Sequence, residues 1–187
     1  PLKVFWGVAQ TYNFRKVKEM AEEWVLECCK TDLDTMVNDH RDLGFDLLLS
    51  CCDATAKAID AAQKHLQTLI SAVKTVDIVC HMSGHGYERK DSTKTHLLVR
   101  DEDGSVDWST DRPNLCIQDT VESISKVADN SSFLVLIVDA CRSREEALLR
   151  DLTLKEKCDG QKLKMKISTL FKQCAIWHAT SSGRTAF

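Results

Sequence analysis

The chain has little that bends or interrupts a polypeptide: two prolines and seven glycines in 187 residues. It has no internal repeat and no low-complexity linker, so nothing divides it into modules. Its length suits one domain with a core of its own. It lacks a basic excess, since a net charge of -3 and a pI near 6.1 leave no electrostatic footprint for nucleic acid. No apolar run approaches the ~20 residues of a membrane span, and the N-terminus has no signal-peptide layout. The expectation is a cytoplasmic protein, or a piece of a larger one, with neither nucleic acid nor membrane as partner. No C-x-x-C pair occurs among the nine cysteines, whose number is odd and which include the adjacent pairs Cys28-Cys29 and Cys51-Cys52. That argues against a disulfide framework or a zinc site and for reduced, mostly buried thiols. Cys80, Cys116 and Cys174 lie inside apolar segments.

What the chain does have is an alternation of strand and helix signals. Residues 3–9, "KVFWGVA", read as a first strand. A helix follows, carrying Phe14, Val17, Ala21, Trp24, Val25 and Cys28 on one face. A second, short helix ends near Gly44, and "FDLLLS" (45–50) is the next strand. Asp53 is a candidate cap for a helix with the stripe Ile59, Ala62, Leu66, Leu69, Ile70 and Val73. "VDIVCHMS" (76–83) and "THLLVR" (95–100) are further strands, and Asn114 is a candidate cap for a helix bearing Ile117, Val121, Ile124 and Ala128. Then come "FLVLIV" (133–138), a polar, lysine-rich stretch (142–166), a short helix and "CAIWHAT" (174–180). The long strands are continuous apolar runs, as in a sheet covered on both faces. The fold class is therefore α/β, a mostly parallel sheet with helices on both faces.

Ligands of such sheets bind beyond the carboxyl ends of the strands. Two segments compete for that edge: "HMSGHGYE" (81–88) and "DACRSR" (139–144). Each puts a reactive side chain just past a strand, His85 in one and Cys141 in the other. A free thiol is only a few per cent thiolate at neutral pH, and a histidine within reach can take its proton and later protonate a leaving amine. Gly84 and Gly86 flank His85 and permit a sharp turn with close substrate approach. Backbone N–H groups of Gly86 and Cys141 are candidates for an oxyanion hole. A lone buried cysteine is usually packing material; the paired glycines and the matched strand-end positions turn the reading toward acyl transfer by a Cys/His dyad. His81, His96 and His178 read as satisfied core residues. A nucleotide-binding reading fails for want of a glycine-rich loop after the first strand.

Strand-S-G-H-G followed by strand-D-A-C-R-S resembles the caspase-like cysteine peptidases. Their signature is Q-A-C-[RQG]-G with the histidine roughly 50 residues upstream. Here the separation from His85 to Cys141 is 56, with Asp139 in place of the glutamine and Ser143 in place of the glycine. Within that family the chain is most similar to the animal MALT-type paracaspases. The similarity is carried by "TYN" (11–13), "LGF" (43–45), "HGYE" (85–88), "NLCIQDTV" (114–121), "DACRSR" and "HATSSGRTAF" (178–187). It spans nearly all of residues 1–187, which correspond to the large-subunit portion and lack the C-terminal small-subunit region.

The resemblance implies a cysteine endopeptidase cutting protein substrates after arginine or lysine, in intracellular signalling, as a homodimer or within an assembly of the full-length protein. It implies no cofactor. It also implies acids in the primary specificity pocket: Asp139, two residues before the nucleophile, and Asp32, with Asp34 as the alternative if the register slips. Metacaspases commonly need calcium, but "RDEDGSVD" (100–107) reads as a D-G turn. Relative to Gly104, an EF-hand would need acids where Val99 and Thr110 stand. The lysine-rich stretch 155–166 falls where an activation loop would lie. The alternative from another class is a catalytically silent caspase-like scaffold, which would usually have lost the dyad or filled the pocket.

Overall fold

The structure, a computed structural model, describes residues 1–13, 25–88, 94–106, 114–128, 133–140, 143–144 and 173–178. Its centre is a five-stranded sheet of β1 (Leu2–Ala9), β2 (Leu47–Cys52), β3 (Val76–Gly84), β7 (Phe133–Ala140) and β9 (Gln173–His178), in the order β2-β1-β3-β7-β9. Every pairing in it is parallel. The chain runs outward from β1 to β2, then reverses to β3, β7 and β9, so the topological switch lies between β1 and β3. A small second sheet, in the order β6-β5-β4-β8, joins β4 (Gly86–Glu88), β5 (Thr95–Leu97), β6 (Leu115–Cys116) and β8 (Ser143–Arg144).

Helices cover both faces, as the apolar runs require. Helix α1 (Glu27–Asp42) lies on one, where Cys29 and Leu33 pack with Phe5 and Ala9 of β1 and Val79 of β3. Helices α2 (Ala56–Ser71) and α3 (Ile117–Ser125) lie on the other. There Ile59, Leu66, Ile70, Val121 and Ile124 close over Val4, Trp6, Val8, Ile78, Cys80, Met82, Leu134 and Leu136. Side chains alternate across a strand, so odd residues of β1, β3 and β7 face α1 and even ones face α2 and α3. The predicted α/β class is what the molecule has. Among the described residues no helix is long and apolar enough to cross a membrane.

Several local expectations are corrected. The short second helix is instead 16 residues long and begins at Glu27. Cys28 belongs to it and is exposed, while Cys29 is the buried residue; most of the earlier stripe, from Phe14 to Trp24, lies outside the described residues. Strand β2 is shifted two residues along, to 47–52. Thr55, not Asp53, caps α2, its hydroxyl accepting from the Ala58 N–H at 3.3 Å. Asn114 does not cap α3; its amide oxygen accepts from the Val99 N–H at 3.4 Å and its amide N–H donates to the Tyr87 hydroxyl at 2.9 Å. Propensity favours Asp and Asn at caps but equally at loop crossings, and tertiary partners decided. Val73 is exposed rather than part of the α2 stripe. Cys28, Cys29, Cys51, Cys52, Cys80 and Cys116 are free thiols, yet of these six only Cys29 and Cys80 are buried; Cys28 and Cys52 are exposed. The D-G segment is a tight turn, with the Gly104 N–H donating to the Asp101 carbonyl at 3.0 Å and Gly104 at φ +78.

Candidate active site

His85 is the single residue between the two sheets, since β3 ends at Gly84 and β4 begins at Gly86. Its backbone is held at both ends. The carbonyl accepts from the Leu98 N–H at 2.9 Å, and the N–H donates to the Tyr12 hydroxyl at 2.9 Å. That hydroxyl in turn donates to the Leu98 carbonyl at 2.9 Å. The Tyr12 ring lies against the imidazole, with centroids 4.6 Å apart. Gly84 makes this crossing sterically feasible: its φ is +144, and a Cβ there would stand 2.9 Å from the Tyr12 hydroxyl and 3.1 Å from Leu97 Cδ1. Gly86, opposite Leu97, opens the antiparallel pairing with β5. The half-buried His85 side chain is thus carried on a peptide that has almost no freedom.

Cys141 lies outside the described residues, but the ladders on either side of it do not. In the main sheet Ser83 pairs with Asp139 and Gly84 with Ala140; in the small sheet Tyr87 pairs with Ser143 and Glu88 with Arg144. Each pair is separated by 56 residues (84 to 140, 87 to 143), so the parallel register is the same before and after the gap. The residue 56 beyond His85 is Cys141.

Asp139, Ser83 and His81 share the sheet face covered by α1. Asp139 is half-buried, and its Oδ1 is buried without a hydrogen-bond partner among the described residues. Burial, and then the charge of Asp32, hold its carboxyl above the usual carboxylate range. Asp32, exposed on α1, also acts on His81, whose pKa burial pushes down while Asp32 opposes the shift. Cys29, one helical turn before Asp32, is pushed up to about 12, mainly by burial and then by Cys28, with the Ser83 hydroxyl opposing and Asp139 adding to the shift. The charge of Asp32 thus reaches Asp139 although 107 residues separate them in sequence. Asp34 does not join them. It is paired with Lys30 and faces Cys52 on β2.

His81 and His96 are buried among the described residues, whereas His65 is exposed on α2. His81 is buried in β3, but its Nδ1 has no hydrogen-bond partner among the described residues, so the expectation of a satisfied core histidine is corrected there; His96 is buried with Nδ1 3.2 Å from the Lys94 carbonyl. His178 ends β9, opposite Val138. The lysine-rich stretch lies outside the described residues apart from Ser143–Arg144.

A family model described as the caspase domain matches residues 14–187. The chain belongs to the caspase domain family. Its parallel sheet flanked by helices is the fold expected of a caspase-like domain, and the family makes the chain a cysteine-type peptidase, a hydrolase. A search of curated proteins gives no match. β1 precedes the matched residues, yet it supplies one side of the switch point. Sequence reasoning did not anticipate the bond from the His85 N–H to Tyr12 or the hold of Asp53 on Thr11. "TYN" was visible only as a pattern, because a bond between residues 12 and 85 leaves no trace in periodicity.

Proposed function

We propose that the chain is the large-subunit portion of a paracaspase, a cysteine endopeptidase that cuts proteins after arginine, or less well lysine. In the full-length protein it would act in the cytoplasm, as a dimer or within a signalling assembly. Cys141 gives its thiol proton to His85, and the thiolate attacks the scissile carbonyl carbon. As the C–S bond forms, the carbonyl electrons move to oxygen, where the N–H groups of Gly86 and Cys141 stabilise the oxyanion. Collapse breaks the C–N bond, and His85 protonates the departing amine. Water, deprotonated by His85, then hydrolyses the thioester and restores the thiol.

The observation that supports the specificity is the Asp139 carboxyl, half-buried opposite Ser83 near His85, with one oxygen unpartnered among the described residues and its proton held by burial and the charge of Asp32. Two like charges raise each other's energy, and a buried carboxylate oxygen without a partner is costly. A guanidinium relieves both at once, because its planar fork can donate to two carboxylates. A substrate aspartate would add a third negative charge. Lysine, with a compact ammonium, gains less.

The test is a peptide series varying only the residue before the scissile bond, run on the full-length protein with labelling by an arginyl peptide electrophile. Cleavage after arginine above lysine, none after aspartate, and labelling at Cys141 are expected. Cleavage after aspartate would overturn the basic pocket. Absence of any labelling would leave a silent scaffold.

A further inference from the structure

We infer that Tyr12 is a positioning residue for the catalytic base: its hydroxyl and ring fix the peptide that carries His85, and so the direction of the imidazole. The inference rests on the assignment of His85 as the base in the proposed function.

Tyr12 is 1% exposed, and its hydroxyl serves two backbone groups at once. It accepts from the His85 N–H at 2.9 Å and donates to the Leu98 carbonyl at 2.9 Å. The Leu98 N–H returns to the His85 carbonyl at 2.9 Å, which closes a ring of hydrogen bonds around the base's own peptide. A buried N–H must find an acceptor, and at His85 that acceptor is a side chain from a loop 73 residues away.

The loop bearing Tyr12 is built for this task at some conformational expense. Among the described residues, two non-glycine residues have positive φ, Tyr12 at 58 and Asp53 at 49. They belong to one construction: Asp53 Oδ1 accepts from the Thr11 N–H at 2.6 Å, and Oδ2 from the Thr11 hydroxyl at 2.5 Å. The Thr11 hydroxyl also accepts from the Asn13 N–H at 3.2 Å, and the Thr11 carbonyl from the Leu26 N–H at 2.7 Å. Left-handed backbone at two bulky or charged residues persists only where its surroundings over-determine it, and such strain collects at working sites. Here Asp53 holds Thr11, Thr11 holds the turn, and the turn delivers the Tyr12 hydroxyl to His85. Gly84, whose added Cβ would meet that hydroxyl at 2.9 Å, clears its path.

Tyr12→Phe keeps the ring and removes only the hydroxyl. In the full-length protein it should lower kcat roughly 10- to 100-fold, as expected for a slightly misplaced base, with KM for the arginyl peptide nearly unchanged. Loosened coupling to His85 should also shift the pH dependence of Cys141 alkylation by iodoacetamide toward higher pH. Tyr87→Phe is the matched control. It removes an equally buried hydroxyl, bonded to Asn114 at 2.9 Å and not to His85, so it should lose similar thermal stability without moving the pH profile. Asp53→Asn, which weakens the hold on Thr11 and leaves Tyr12 in place, should shift the alkylation profile in the same direction by less. It decides the matter if Tyr12→Phe does not fold. His85→Ala separates the two levels: activity surviving in His85→Ala overturns the base itself. An inactive His85→Ala, beside a Tyr12→Phe that matches Tyr87→Phe in kcat and pH profile, overturns only the role given to Tyr12.

Discussion

The two sides of the candidate site are built on opposite rules. At His85 both backbone groups are tied, the N–H to Tyr12 and the carbonyl to Leu98, and Gly84 makes room for them. Around Asp139 the structure leaves things undone. Among the described residues one carboxylate oxygen is buried without a partner, the charge of a second acid reaches it, and His81 Nδ1 on the same sheet face is buried unbonded. A base must be in place before substrate arrives, because its misplacement is paid in rate. A specificity pocket gains by staying unsatisfied, because the substrate then supplies the missing donors.

The contrast can be broken most severely on the tied side. Cys141→Ala should abolish peptide cleavage in the full-length protein while leaving its thermal transition in place. His85→Ala should lower the rate by roughly 10²–10⁴ while an arginyl inhibitor still binds. Near-normal turnover in the second variant would move the base elsewhere, His81 being next.

On the unsatisfied side the effects should be smaller and confined to selectivity. Asp139→Asn should lower kcat/KM for arginyl peptides by roughly 30- to 1000-fold, the equivalent of about 2–4 kcal/mol for unpairing a desolvated charge. Alkylation of Cys141 by a small reagent should persist. Asp32→Asn should act in the same direction but less, since Asp32 is exposed, and Asp34→Asn should change little because Asp34 is engaged by Lys30. Equal losses from Asp32→Asn and Asp34→Asn in the same peptide assay would show that the helix is read in the wrong register.

Core substitution supplies a scale. Cys80 is fully buried in β3 on the face opposite Asp139, and Cys80→Ala should cost about 1–2 kcal/mol in chemical denaturation with unchanged peptide selectivity.

The smallest effect has the more telling sign. The Asp139 carboxyl is raised by burial and then by Asp32, so the folded protein holds that proton at pH values where the unfolded chain has released it. Stability therefore falls as pH climbs from the ordinary carboxylate range through the raised value, and the penalty persists above it. Asp139→Asn should be slightly more stable than the wild type at neutral pH, with the gap closing in acid. Melting curves across that range check it; a destabilised variant at neutral pH would mean that Asp139 is satisfied by groups beyond those described.

Much of this was legible in the sequence because burial writes itself into periodicity. The runs of β1, β3 and β7 and the stripe of α2 followed from apolar spacing, and the strand-end rule picked out His85, with Asp139 and Cys141 near the matching end. Caps were the weak point. Asp53 and Asn114 have the chemistry of helix starts, but Thr11 and the Val99–Tyr87 pair took their hydrogen bonds instead. The length of α1 was misread because its buried residues, Cys29, Leu33 and His40, include a thiol and an imidazole that look polar in a window count. His40 is buried with its ring against Phe5 of β1, far off in sequence, and edge-on to Phe45. Which of Asp32 and Asp34 acts on Asp139 depends on the helix's rotation about its axis, which no local pattern fixes.

The constant register at the junction of the two sheets has a consequence for how such chains can diverge. Gly84 to Tyr87 and Ala140 to Ser143 are segments of equal length, ruled off against each other by rungs at both ends. Inserting or deleting one residue in either segment would put one ladder out of step with the other. The 44 residues that separate Glu88 from Phe133 are under no such restraint from these rungs. Relatives should therefore differ freely in the spacing between histidine and cysteine while keeping these two short segments matched residue for residue.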